Sequence, residues 1–174
     1  MGVSGSGKST IGRLLAKESG WRFLDGDDYH PKSNYEKMAK GIALTDEDRR
    51  PWLDALRRLI EELVDAGESA VLTCSALKQS YRDQLACGHP EVVFIYLRGN
   101  FELIRDRLRK RKGHFVPTSL LPSQFQTLEE PVDAITVDVA ADPQSIVDEI
   151  RKRLEDNSKS PGGSVRSKQG RSVD

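Results

Sequence analysis

Residues 2–9, Gly2-Val3-Ser4-Gly5-Ser6-Gly7-Lys8-Ser9, fit the spacing G-x-x-x-x-G-K-[ST] in full. That pattern suits one task, the cradling of a polyphosphate. Glycines let successive backbone N–H groups turn inward, the lysine reaches the β/γ oxygens, and the serine hydroxyl can ligate Mg²⁺. A helix starting directly behind the loop adds the positive end of its dipole. A second cluster lies in Asp25-Gly26-Asp27-Asp28-Tyr29-His30-Pro31. Asp-x-Asp at the carboxyl end of a strand sets two carboxylates where α/β proteins bind ligands. One can serve Mg²⁺, through water, while the other takes a proton from an attacking hydroxyl. The spacing leaves open which does which. A third feature is the basic run Arg105 to Lys112, in which Arg107 and Arg111 stand four apart on one helical face and suit contact with a nucleotide phosphate from a lid.

Such groups need a scaffold, and the hydrophobic pattern supplies one. Residues 21–24, 70–74, 92–97 and 135–139 are short apolar runs that read as strands. The last three lack polar alternation, as parallel strands covered on both faces do. Helical periods lie between them. One runs over 9–19 and stops at Gly20; another has a Ser-x-x-Glu capping box at Ser33. A third starts at Pro51 and ends before Gly67, and two more cover 101–111 and 143–154. Alternation of this kind predicts an α/β three-layer sandwich with a mostly parallel sheet. Residues 113–123, with Pro117 and Pro122, read as a mobile loop leading into Gln124-Phe125, and a lid over about 112–127 follows. Residues 1–155 then form one domain and 156–174 a disordered polar tail, too poor in apolar side chains to repay its ordering entropy.

The chain has 174 residues, enough for one domain, with 27 Lys+Arg balanced by 27 Asp+Glu. Zero net charge argues against nucleic acid or an acidic membrane as the main partner, and no aromatic residues interleave the basic run. No apolar run approaches the ~20 residues of a membrane span, and residues 1–4 show no secretory pattern. Two cysteines, Cys74 and Cys87, are too few for a disulfide framework or a metal knuckle. Only Met1 precedes Gly2, whereas a phosphate loop normally follows a buried strand. The first strand is therefore expected to be missing from this chain, leaving a form starting at Met1 poorly stable and nearly inactive.

Taken together, these motifs resemble the gluconokinase family of small-metabolite kinases. The resemblance is carried by residues 1–9 and 25–31, by Glu36-Lys37-Met38 and by Leu44-Thr45-Asp46-Glu47-Asp48-Arg49-Arg50-Pro51-Trp52-Leu53. It continues through Cys74-Ser75-Ala76-Leu77-Lys78-Gln79-Ser80-Tyr81-Arg82-Asp83, Arg111-Lys112-Gly113-His114-Phe115 and residues 124–131, and spans Met1 to about Leu154. It implies ATP-dependent phosphorylation of D-gluconate to 6-phospho-D-gluconate, feeding the pentose phosphate route. It also implies a nucleoside-monophosphate-kinase-like fold, a cytoplasmic setting and a homodimer. In that fold the strand before the phosphate loop lies between those at 70–74 and 92–97.

The resulting reading is a Mg·ATP-dependent kinase. Gly2, Val3, Ser4, Gly5, Ser6, Gly7, Lys8 and Ser9 bind nucleotide, with Arg107 and Arg111 closing over it. Ser9 and Asp25 serve the metal; Lys8, Asp27 and Arg111 act in catalysis. A polyhydroxy carboxylate calls for cationic and imidazole donors, and the matching motifs offer His30, Arg49, Ser75, Lys78, Arg82 and His114. Asp48 and Asp83 could instead pair with the neighbouring arginines. Two alternatives stay open: a kinase of the same fold for another small anion, such as shikimate or a nucleoside monophosphate, and a nucleotide-binding protein without catalysis.

Overall fold

The phosphate loop and the helix behind it are shaped by three glycines with positive φ: Gly2 (141°), Gly5 (83°) and Gly7 (97°). An L side chain rarely adopts such angles, so the loop can curl only because these positions lack Cβ. In the computed structural model, which describes residues 1–110 and 117–159, helix α1 (Lys8–Ser19) follows at once. It ends at Gly20, whose left-handed backbone returns an N–H to Ala16 O. Gly12 faces the sheet so closely that a Cβ there would lie 2.6 Å from Thr73 Cγ2 and 2.9 Å from Phe23 Cε2. This approach brings the start of α1 over the strand ends.

Among the described residues, four short parallel strands form two pairs. β1 (Arg22–Asp25) runs beside β2 (Ala70–Thr73), with Asp25 opposite Thr73. β3 (Ile95–Arg98) runs beside β4 (Ile135–Asp138). Residues 1 and 2 lie between the pairs. The Met1 amino group donates to Ile95 O (2.5 Å), Leu97 N to Met1 O (3.0 Å), and Gly2 N to Ser75 O (3.2 Å). Met1 therefore hydrogen-bonds to β3 as one residue of a parallel strand does, and the phosphate loop leaves from the carboxyl edge of the sheet.

Two apolar clusters fit the sandwich. One joins Ile11 and Leu15 of α1 to Leu97, Val137 and Val139, to Ile104 and Leu108 of α5 (Phe101–Lys110), and to Ile146, Val147 and Ile150 of α7 (Pro143–Lys159). The other gathers Trp52, Leu53 and Leu56 of α3 (Asp46–Ala66) with Cys74, Ala76, and Tyr81 and Leu85 of α4 (Gln79–Ala86). Val71 packs with the first cluster and its neighbour Leu72 with the second, the period of two expected of a strand covered on both faces. Full burial of each such side chain contributes about 1.5–3 kcal/mol.

Several elements depart from the sequence expectations. α2 (Lys32–Ala39) begins after Pro31 without a side-chain cap, so Ser33 makes no capping box. The capping box is at Thr45: its hydroxyl accepts from Asp48 N and the Asp48 carboxylate from Thr45 N. α3 therefore starts at Asp46, and Pro51 sits inside the helix, its missing N–H costing the Glu47 carbonyl its usual donor. Within the stretch read as loop and lid, residues 118–120 form a 3₁₀ turn and Leu121–Thr127 form helix α6. Pro117 precedes the turn and Pro122 occupies the first turn of α6, places where a proline costs no hydrogen bond, and Leu120 and Leu121 are buried. α7 continues to Lys159, past the boundary expected at 155. Residues 111–116 and 160–174, which hold Arg111, His114 and most of the tail, lie outside the described residues.

Candidate active site

The carboxyl ends of β1 and β2 build the first half of the site. Asp25 closes β1, and its carboxylate takes three donors. Ser9 Oγ donates to Oδ2 at 3.0 Å; Thr73 Oγ1 and Asp27 N donate to Oδ1 at 3.0 and 3.3 Å. The serine of the phosphate loop is thus joined directly to the first carboxylate of Asp-x-Asp. Hard oxygen donors of this kind, one hydroxyl and one carboxylate, suit Mg²⁺, which is held by few protein ligands together with phosphate oxygens. Thr73 stands at the carboxyl end of β2, opposite Asp25. It contributes a hydroxyl that orients Asp25, a role invisible without the β1–β2 register.

Gly26 and Trp52 set the turn that follows. Residues 26–29 form a 3₁₀ turn, and Gly26 lies so near Thr73 O and Cys74 Cβ that any side chain there would collide with backbone. Trp52 is fully buried and donates Nε1–H to Gly26 O at 2.7 Å. The turn directs Asp27 into a cleft shared with Ser4, Lys8, His30, Arg49, Ser75, Ser123 and Gln124. Lys8 Nζ donates to Gly2 O (3.0 Å) and Val3 O (3.1 Å), so its ammonium is folded over the loop it serves. Ser6 Oγ is buried without a hydrogen-bond partner among the described residues, a polar atom left inside the loop. Gln124 of α6 grips Ser4 by both ends of its amide: Oε1 accepts from Ser4 N (2.7 Å) and Nε2 donates to Ser4 Oγ (3.1 Å). Sequence reasoning placed Gln124 in a motif without a role; its partner is 120 residues away.

The expected substrate residues divide into two groups. His30, Arg49 and Ser75 line the cleft with Asp27 and Lys8. His30 lies flat on Trp52 (centroids 4.5 Å, planes 12° apart), and burial, helped by the charge of Arg49, lowers its pKa from 6.5 to about 4. It is neutral at pH 7. Arg49 stands beside Tyr81, its Cζ 5.9 Å from the ring centre. Burial lowers its pKa, and Tyr81, Asp46 and Asp48 offset only part of that effect. Its acidic neighbours are engaged elsewhere. Asp48 meets Lys37 Nζ at 2.6 Å, and Asp46 takes Lys78 Nζ at 2.8 Å and the Tyr81 hydroxyl. Among the described residues, no carboxylate pairs with Arg49.

Lys78 and Arg82 do not line the cleft. Lys78 is committed to Asp46. Arg82, 3 % exposed, donates to Ala76 O (3.0 Å), Leu77 O (3.2 Å) and Gln79 Oε1 (2.7 Å), bracing the turn between β2 and α4 in which Ala76 has a positive φ. Both follow β2 in sequence, but their charges are taken up by Asp46 and by the turn itself. Arg107 donates to Val139 O at 2.5 Å, tying α5 to the end of β4.

A family model described as shikimate kinase matches residues 4–155. The chain is 46% identical over 158 residues to a gluconokinase from Gluconobacter oxydans, covering 89% of each chain. A crystal structure of a gluconokinase from Sinorhizobium meliloti superposes with a TM-score of 0.79 at 45% identity, over 90% of this chain and 91% of that one. An unliganded sugar kinase from Janibacter superposes with a TM-score of 0.84 at 44% identity, over 95% and 96%.

Proposed function

We propose that this chain, which belongs to the gluconokinase family, transfers the γ-phosphoryl group of ATP to D-gluconate, giving 6-phospho-D-gluconate and ADP. The observation that carries the acceptor assignment is Arg49: a partly buried guanidinium in the cleft beside Asp27, paired with no carboxylate among the described residues. An unpaired cation in such a place is costly until an anion arrives, and a planar guanidinium matches a carboxylate in two-point geometry. Gluconate supplies a carboxylate at one end and a primary hydroxyl at the other. Arg49 holds the first, while His30 and Ser75 meet hydroxyls between.

The nucleotide side follows from the loop. Its amides and Lys8 hold the phosphates, with the N-terminus of α1 behind them. Ser9 and Asp25 hold Mg²⁺, whose chemistry when bound is to neutralise phosphate charge. Asp27 orients the primary hydroxyl and accepts its proton as that oxygen attacks the γ-phosphorus and the bond to the β-phosphate oxygen breaks. Contact of Arg107 and Arg111 with the nucleotide and of His114 with the acceptor belongs to the same reading. A homodimer and a cytoplasmic setting are parts of the same family-based proposal. Among the described residues, no helix is long and apolar enough to cross a membrane.

Arg49→Ala is expected to raise the KM for D-gluconate about 10–100-fold, the loss of a charge-assisted contact. The KM for ATP should stay within about twofold. Lys78→Ala should leave the gluconate KM nearly unchanged. Steady-state kinetics with each substrate varied in turn checks this, and an Arg49→Ala effect confined to ATP would move the guanidinium to the nucleotide side.

A further inference from the structure

Among the described residues, His30 is the only ring lining the cleft that can donate or accept, depending on where its proton sits, and a neighbour decides that. Asn34, on α2 and 2 % exposed, places Nδ2 2.7 Å from Asp48 O. A carbonyl oxygen only accepts, so the atom facing it is the amide nitrogen, which settles the orientation of the side chain. The same Nδ2 lies 3.2 Å from His30 Nδ1. Its second hydrogen points there, and Nδ1 must offer a lone pair. We infer that Asn34 fixes His30 as the Nε2–H tautomer, so that the imidazole presents an N–H donor to an oxygen of the acceptor substrate.

The surroundings agree. Burial and the Arg49 charge keep the ring neutral, and a neutral imidazole that accepts at Nδ1 carries its hydrogen on Nε2. Trp52 stacks on one face and Tyr35 meets the ring edge-on (6.1 Å, 81°), which holds the ring plane. Turning the ring over within that plane would put Cδ2 in place of Nδ1 and cost the Asn34 hydrogen bond. Among the described residues, the charged or titratable groups around it include Arg49 from α3, Asp27 from the 3₁₀ turn, Tyr35 from α2 and Lys8 from α1, and the hydrogen bond to the ring is made at Nδ1. The carboxylate of Asp48 faces Lys37 and Thr45, and only its carbonyl enters the relay. Asn34 is thus a positioning residue acting through His30. The donor sits beside the Arg49 guanidinium without adding a second charge, and burial keeps it from titrating near neutral pH. Identification of the acceptor as D-gluconate rests on the proposed function; the tautomer does not.

The test is imidazole ¹⁵N–¹H correlation spectroscopy of the full chain, with His30 assigned by comparison with His30→Gln. At pH 7 the His30 Nδ1 resonance is expected in the unprotonated range and Nε2 in the N–H range, both unchanged down to about pH 5.5. An Nδ1–H tautomer, or an averaged mixture, overturns the inference whatever the enzyme does. In Asn34→Asp, whose carboxylate only accepts, the proton should appear on Nδ1, and the gluconate KM should rise about tenfold with that for ATP unchanged. If that variant does not fold, the native spectrum still decides. Saturating D-gluconate should shift Nε2; no shift in an enzyme that turns gluconate over would overturn the donor role. An Nε2–H tautomer in a protein that never phosphorylates gluconate would uphold the role of Asn34 and reject the acceptor.

Discussion

Lys8→Ala is expected to lower kcat by about 10²–10³, the cost of removing one preorganised charge from a transferring phosphoryl group. The effect should be chemical rather than structural. The Lys8 side chain is bonded to the carbonyls of Gly2 and Val3 at the surface of the loop, while the neighbouring helix is held by Ile11, Leu15 and Ala16 in the core. The melting temperature should therefore move little, and ATP affinity should fall along with turnover. Near-normal turnover by a well-folded Lys8→Ala protein would reject the phosphate site.

Asp27→Asn should cost about 10²–10⁴ in kcat, the range of a general base, with nucleotide affinity almost unchanged. The substitution preserves shape. It also leaves in place the backbone of Asp27, whose N–H reaches Asp25 Oδ1 and whose carbonyl takes the His30 amide and the Tyr35 hydroxyl. Asp25→Asn differs in kind, because the Asp25 carboxylate ties Ser9 to Thr73. It should raise the Mg²⁺ concentration needed for half-maximal rate more than it lowers the limiting rate. Measuring kcat and the Mg²⁺ dependence of both variants separates the roles, and the reverse pattern would exchange them.

What could be read from the sequence was what is local. The glycine spacing specifies the phosphate loop because positive φ at Gly2, Gly5 and Gly7 is a property of single residues. The strands at 70, 95 and 135 were legible because continuous Val, Ile and Leu runs have one use in a covered sheet. Helix ends were less so. Ser33-x-x-Glu36 and Thr45-x-x-Asp48 both carry capping signals, and only packing decided that the second would be used. α6 escaped notice because its prolines read as breakers, although they fall where a helix tolerates them.

The site separated along the same line. Ser9, Asp25, Asp27 and His30 come from two motifs brought together by neighbouring elements, and both motifs were visible. Lys78 and Arg82 looked like ligands because cations after a strand face the binding edge. Asp46, 32 residues from Lys78, and the carbonyls of Ala76 and Leu77 take those charges instead. Arg49 shows the converse: adjacent Asp48 suggested a simple ion pair, yet Asp48 caps α3 and pairs with Lys37, leaving the guanidinium for the cleft. Thr73 and Gln124 act through partners 48 and 120 residues away, and Asn34 is oriented by the Asp48 carbonyl 14 residues on, distances at which a sequence gives no pairing signal.

The most direct measurement is ADP release from Mg·ATP by the full chain, with and without D-gluconate and with shikimate or AMP in its place. ADP should appear in saturable dependence on D-gluconate, in step with a product having the mass of its phosphate ester, and hardly at all with the other acceptors. Equal ADP release with and without D-gluconate, or stimulation by shikimate or AMP instead, would contradict the assignment of this chain as a gluconokinase.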